Sequence, residues 1–161
     1  MEIKSILKKP YTENERMDFV VQYNHGMGYT IEETETELQA LGYTEEELEQ
    51  QEKERIAKLF LTGADVERGI YQAKGMDFDD IVAMVTQLQP EGLDIKALKI
   101  ELKANNFYRG NPYVNAVGAL LGFTSEQLDK FFETNDYTVL LPPVVEEETE
   151  EPVEEVVDEN T

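Results

Sequence analysis

MGYTIEET (Met27–Thr34), LGYTEEEL (Leu41–Leu48), KGMDFDDI (Lys74–Ile81) and LGFTSEQL (Leu121–Leu128) are four versions of one turn. In each, a glycine accepts the left-handed backbone that closes a helix. An apolar residue follows, and then Thr30, Thr44, Asp77 or Thr124 offers a side-chain oxygen to cap the next helix. Three residues further on stand Glu33, Glu47, Asp80 or Gln127, each placed to complete a capping box. The expected fold is therefore all-α: about eight short helices, with helix-turn-helix-like turns and a disordered acidic C-terminal tail.

Working outward from these turns divides the chain in three. Residues 1–60 read as an acidic N-terminal helical region. Its first helix runs from about Glu13 to Asn24, capped by Thr12 with Glu15. A second is expected over Ile31 to Leu41 and a third, a connector, over Glu45 to Phe60. The connector is polar all round between Glu49 and Arg55, which suits an exposed helix better than a core element. Residues 61–141 read as a five-helix bundle. Thr62 and Gly75 bound its first helix, and Pro90 stops its second, which begins near Phe78. The third spans about Asp94 to Asn105, Asn111 and Pro112 open the fourth, and the last runs from Ser125 to about Glu133. Tyr137 to Leu141 is expected as an extended strap. Residues 142–161 hold nine acids and no base, and their self-repulsion predicts disorder.

Charge and composition narrow the function. The net charge of −21 over 161 residues repels nucleic acid phosphates and attracts basic partners. With no cysteine, disulfides and thiolate metal sites are excluded. No apolar run reaches the ~20 residues of a membrane span or the form of a signal peptide. The expectation is a soluble intracellular protein.

Several motifs bear on chemistry. Ala116 to Phe132 (AVGALLGFTSEQLDKFF) matches the helix-turn-helix pattern, with Gly118 at the helix crossing and Gly122 at the turn. Reading DNA requires cations and amides on the helix after the turn. Here that helix brings Ser125, Glu126 and Asp129, so direct nucleic-acid binding is not expected. His25, the one histidine, stands where a helix C-terminus favours the imidazolium, with no serine or cysteine beside it. Asp77, Asp79 and Asp80 lack the glycine and closing glutamate of a calcium loop and are read as capping acids. No catalytic, cofactor-binding or metal-binding residues are assigned. NNFYRGNPY (Asn105–Tyr113) has the most unusual local composition, and Tyr with Arg on a loop favours an interface. Phe107, Tyr108, Arg109 and Tyr113 are its candidate partner-binding residues; the structural alternative, which carries slightly more weight, is that Phe107 and Tyr113 plug the end of the bundle while Arg109 binds helix-end carbonyls or carboxylates.

The opening KKPYTENERMDFVVQYNHGMGYTIEETETELQAL resembles small uncharacterised proteins from phages and prophages of Gram-positive bacteria. The carrying features are the Lys-Pro-Tyr-Thr start, the acidic helix with Asp-Phe-Val-Val and the Tyr-Asn-His end. Ile56 to Phe78 and Leu121 to Leu140 are similar to the same group, so the resemblance covers most of residues 8–140. It implies a gene of the tail and receptor-binding module, a location in the host cytoplasm or the virion, and no catalytic residues to carry over. The expected function is a phage or prophage accessory protein acting by protein–protein interaction, a tail assembly factor or minor structural component with a phage tail component as partner. The competing expectation is an acidic nucleic-acid mimic that inhibits a host defence or DNA-processing enzyme.

Overall fold

Alternation, not capping, decides the stretch from Tyr29 to Gly42. In the computed structural model, which describes residues 1–143, this stretch forms two strands and no helix. In chain order the first half contains β1 (Glu2–Lys8), α1 (Glu13–Gln22), β2 (Tyr29–Glu33), β3 (Glu37–Gly42) and α2 (Glu45–Ala57). Strand β3 is central in an antiparallel sheet of order β1-β3-β2. Its Leu38 and Ala40 point to one face and are fully buried, packed with Phe19 of α1. Thr30, expected to cap a helix, instead stands opposite Leu41 in the β2–β3 ladder. The turn between the strands is built on Thr34, whose hydroxyl accepts from the Glu37 amide at 3.1 Å and whose own amide donates to the Glu37 carbonyl at 2.8 Å. Thr30 and Glu33 supply the side chains of a capping box, but the residues that follow set the period. Here the apolar side chains repeat every second residue, and that period belongs to a strand.

The second half runs β4 (Phe60–Thr62), α3 (Gly63–Lys74), α4 (Phe78–Leu88), α5 (Ile95–Glu101), β5 (Asn106–Tyr108), α6 (Pro112–Leu120) and α7 (Ser125–Thr134). A 3-10 turn, Tyr137–Leu140, follows where an extended strap was expected. Strands β4 and β5 pair antiparallel as a separate two-stranded ribbon. With seven helices and five strands in two sheets among the described residues, the fold is mixed α/β, and the all-α expectation is corrected.

Caps delimit the helices. Reciprocal capping boxes form at Thr12–Glu15, Thr44–Glu47, Asp77–Asp80 and Thr124–Gln127. Each satisfies amides that a helix start leaves unpaired and stabilises by about 1 kcal/mol. The described residues bury two apolar clusters. The smaller is Phe19, Leu38 and Ala40 between α1 and the first sheet. The larger spans the second half and centres on Ile81, Val85, Leu98, Phe131 and Phe132. Helix α2 buries none of its residues and runs between the two halves. Its far end is tied down by Arg55, whose guanidinium donates to Glu52 at 2.6 Å and to Glu133 of α7 at 2.9 Å. The expected disordered tail lies outside the described residues, except for Pro142 and Pro143.

Candidate interaction surface

The ribbon holds the most exposed aromatic pair of the second half, and both of its strands are set by the helices around them. Helix α2 stops at Ala57, and the chain turns into β4 because its carbonyls meet a new set of donors. The Arg109 amide donates to the Leu59 carbonyl at 2.8 Å and the Gly110 amide to Ala57 at 3.1 Å. At the other end of β4, Thr62 caps α3 by accepting from the Asp65 amide at 3.1 Å. The Gly63 amide donates to the Asn105 carbonyl at 2.8 Å, which fixes the start of β5. A side chain at Gly63 would place its Cβ 2.9 Å from the Ala104 carbonyl oxygen, so the close approach of the two strands needs glycine.

Alternation then sorts the side chains to opposite faces. Leu61 and Phe107 are cross-strand partners on the buried face, and Phe107 packs against Phe78 with ring centroids 5.6 Å apart. Phe60 and Tyr108 are partners on the outer face, 5.7 Å between centroids, and remain 55% and 52% exposed.

Directly after Tyr108 the chain buries a charge. Arg109 is 5% exposed and, among the described residues, is the one charged side chain that is buried. Its guanidinium donates to Asn115 Oδ1 at 2.6 Å and to Ser125 Oγ at 2.9 Å. Its Nε lies 2.7 Å from Asp129 Oδ1, an ion pair without the alignment of a hydrogen bond. A planar fork reaching three partners at once is a task that Arg performs and Lys does not. It clamps β5 to the start of α6 and the first turns of α7. Tyr113 is half-buried against the main core. Of the four residues singled out in Asn105–Tyr113, Phe107 and Arg109 are thus interior, Tyr113 borders the core, and Tyr108 alone is presented to solvent. Phe60, its partner across the ribbon, falls at the end of the expected connector helix, so the helical expectation hides it. The available signal was Leu59-Phe60-Leu61-Thr62, a short β-favouring run directly before a helix cap.

Elsewhere, the helix-turn-helix-like pair α6–α7 crosses at Gly118, where a Cβ would come within 2.6 Å of Leu128 Cδ1. Asp129 and Ser125, on the side of α7 that a DNA reader would use, are engaged with Arg109. Glu126 pairs with Lys130 at 3.0 Å. Asp77 and Asp80 cap each other's backbone amides at 2.8 and 3.1 Å, so their carboxylates are committed to the helix start. His25 lies in a 3-10 turn just after α1. Among the described residues no group of three or more His, Asp or Glu side chains is placed to hold a metal ion. The second-half core encloses an apolar cavity of about 50 Å³ with Glu101 as its one charged wall residue, far below the ~300 Å³ at which small-molecule sites begin. A solvent-open groove of about 600 Å³ lies beside α7, where the described chain ends. No helix among the described residues is long and apolar enough to cross a membrane.

Helix α2 presents a contrasting surface. Glu45, Glu46, Glu47, Glu49, Glu52 and Glu54 load it with carboxylates while none of its residues is buried. The Arg55 hydrogen bond holds the Glu52 carboxyl below the usual glutamate range, and Glu52 pushes the Arg55 guanidinium further up. Glu47 is held down first by the chain's N-terminal ammonium and then by the Thr44 amide. Comparison with protein-family models, curated proteins and solved structures gives no match.

Proposed function

We propose that this protein works by protein–protein contact, as an accessory protein of a phage or prophage tail module, either an assembly factor or a minor structural component. The observation that carries the contact reading is the Phe60–Tyr108 pair: two large rings held side by side on a ribbon whose other face is locked in the core. Pre-set aromatic side chains lose little conformational freedom on docking, and such residues dominate interface energetics. The phage assignment rests on the resemblance of residues 8–140 to small phage and prophage proteins, with the host cytoplasm or the virion as its place of action. The contact needs no catalytic residue, cofactor or metal of this chain, and the acidity directs it towards a basic protein surface and away from nucleic acid.

The test is capture from induced or infected cells with wild-type protein and with the Phe60→Ser, Tyr108→Ser double variant. Wild type is expected to recover a tail component and the variant to lose it at unchanged thermal stability. Absence of any tail component, both during assembly and in virions, would refute the reading. A second reading is favoured by α2, an exposed helix with six glutamates: inhibition of a DNA-processing enzyme by imitation of nucleic acid. That reading requires competition with DNA for such an enzyme, weakened by salt.

A further inference from the structure

The ribbon that carries Phe60 and Tyr108 also leaves backbone groups without partners. In an antiparallel pair, opposed residues alternate between exchanging hydrogen bonds and turning their N–H and C=O groups away from each other. The bonds at the two ends of the ribbon set that alternation. The Arg109 amide donates to the Leu59 carbonyl and the Gly63 amide to the Asn105 carbonyl, both at 2.8 Å. Leu61 and Phe107, midway between, are therefore the bonded pair, while Phe60–Tyr108 and Thr62–Asn106 turn their backbone groups outward. On the β4 side, Thr62 is the cap of α3, and α7 packs beside the strand. On the β5 side, the Tyr108 carbonyl accepts from the Asn111 amide at 3.0 Å. The Asn106 N–H, the Asn106 C=O and the Tyr108 N–H remain, on two exposed residues, with no partner among the described residues. Such a row along one edge is a template to which an extended chain can add. Strand β1 is also an edge, but its bulge between Ile3 and Ser5 interrupts the row.

The charge around the ribbon selects the chain that adds. Residues 58–64 and 102–113 contain Lys58, Lys103 and Arg109 and no acid, in a protein of net charge −21. Asp129 meets the Arg109 charge. Lys58 and Lys103 are exposed and join no ion pair among the described residues. One lies just before β4 and the other just before β5, so in an antiparallel ribbon they flank opposite ends. We propose that the outer edge of β5 takes an extended acidic segment of the partner protein as an added strand, with an apolar side chain beside Tyr108 and carboxylates reaching Lys103 and Lys58. This rests on the contact reading above and names its mode. In antiparallel addition, Asn106 exchanges both of its bonds with one residue of the segment, and the Tyr108 N–H bonds a carbonyl further along it. The residue opposite Tyr108 shares the outer face and extends the Phe60–Tyr108 row.

Selection from a displayed library of random linear peptides on the full chain, with the Phe60→Ser, Tyr108→Ser variant as counter-selection, supplies the probe. Enriched peptides are expected to set an apolar residue among Asp or Glu, to bind more weakly as salt rises, and to slow exchange of the Asn106 and Tyr108 amides. Methylating alternate backbone nitrogens of the best peptide then tests the ladder with the protein unaltered. One alternate set faces β5 and should cost about tenfold in Kd; the other should leave Kd within about twofold. Equal losses from both sets, enrichment of basic peptides, or no enrichment over the counter-selected protein would each overturn the inference. Self-association that the peptide displaces would also overturn it, by assigning the edge to a second copy. Capture from induced or infected cells separates this inference from the reading beneath it. Asn106→Pro removes an outward N–H that the ribbon does not use, and is expected to lose the tail component as the ring variant does. Retention by a folded Asn106→Pro protein, with loss by the ring variant, would uphold the contact and overturn strand addition. Capture of no tail component would refute the tail reading, while the methylated peptides still decide the edge.

Discussion

Replacing Arg109 by alanine is the sharpest probe of how the aromatic ribbon is held. The side chain is 5% exposed and makes two short hydrogen bonds, to Asn115 Oδ1 at 2.6 Å and Ser125 Oγ at 2.9 Å. Hydrogen bonds from a charged donor contribute about 1.5 kcal/mol each at the low end of their range, together ~3 kcal/mol. The low end applies because Asn115 and Ser125 are themselves exposed and regain water when the arginine is gone. The Asp129 partner is 33% exposed, so solvent screening reduces the ion pair to about 0.5 kcal/mol. The expected loss is thus about 3–4 kcal/mol. With a urea slope of about 1.5 kcal/mol per M for a domain of this size, the unfolding midpoint moves down by about 2 M. Arg109→Lys keeps the charge but loses the planar fork and should fall between wild type and alanine. Asp129→Asn leaves the guanidinium its Asn115 and Ser125 contacts and should cost less than Arg109→Ala. A loss below about 1 kcal/mol for Arg109→Ala would refute the clamp, since it would mean that the buried guanidinium does no more than an exposed one.

Two further outcomes follow from local geometry. At Gly69 a Cβ would lie 2.3 Å from Cζ of Phe131, a ring that is 2% exposed and cannot move aside, so Gly69→Ala should cost about 2 kcal/mol in chemical denaturation. At Gly118 the clash is with the tip of Leu128 at 2.6 Å, and the gain of about 1 kcal/mol in helix propensity offsets it, so Gly118→Ala should stay within ~1 kcal/mol of wild type. In the first sheet, hydrogen bonds from Lys9 and then Tyr11 hold the Glu33 carboxyl below its ordinary value of 4.5. A depressed folded-state value gives stability that is complete above the unfolded value and is lost as pH falls through the folded one. The stability difference between wild type and Glu33→Gln should therefore be constant near neutral pH and vanish in strong acid, as denaturant melts at a series of pH values would show.

Local signals in the sequence were legible where one short motif carries the whole instruction. Thr12, Thr44, Thr62, Asp77, Asn111 and Thr124 start helices because a side-chain oxygen and nearby amides suffice, and no distant contact is involved. Strands β4 and β5 are different in kind. Each has three residues, too few for a period, and each exists because of a partner more than forty residues away in the chain. The candidate site inherits that difference. Tyr108 was visible as an exposed aromatic on a loop, but its pairing with Phe60 and the burial of Arg109 beneath it depend on the ribbon register. The hairpin at residues 29–42 is hidden for another reason: Thr30 and Glu33 imitate a capping box, and the glutamates around them are good helix formers.

Strand β1 shows how a bulge can disguise a strand as a helix. Its apolar residues Ile3, Ile6 and Leu7 fall at i, i+3 and i+4, the spacing of a helical stripe. The ladder explains the spacing. Ile3 stands opposite Leu41 and Ser5 opposite Ala40, so Lys4 is an extra residue that the partner strand does not match. The insertion puts Ile3 and Ile6 on the same outer face, both more than two-fifths exposed, and turns Leu7 inward against Leu38. If Lys4 were kept and paired regularly, Glu2 and Ile3 would exchange faces. Deleting Lys4 instead removes the residue that the partner strand does not match, so Glu2 and Ile3 should keep their faces and their partners Gly42 and Leu41 in an unbroken ladder. Amide exchange reads the outcome directly. In the deletion variant the Leu41 and Gly42 amides should keep or gain protection, as Leu38 and Ala40 beyond the bulge keep theirs; faster exchange at Leu41 and Gly42 alone would refute the assignment of Lys4 as the inserted residue.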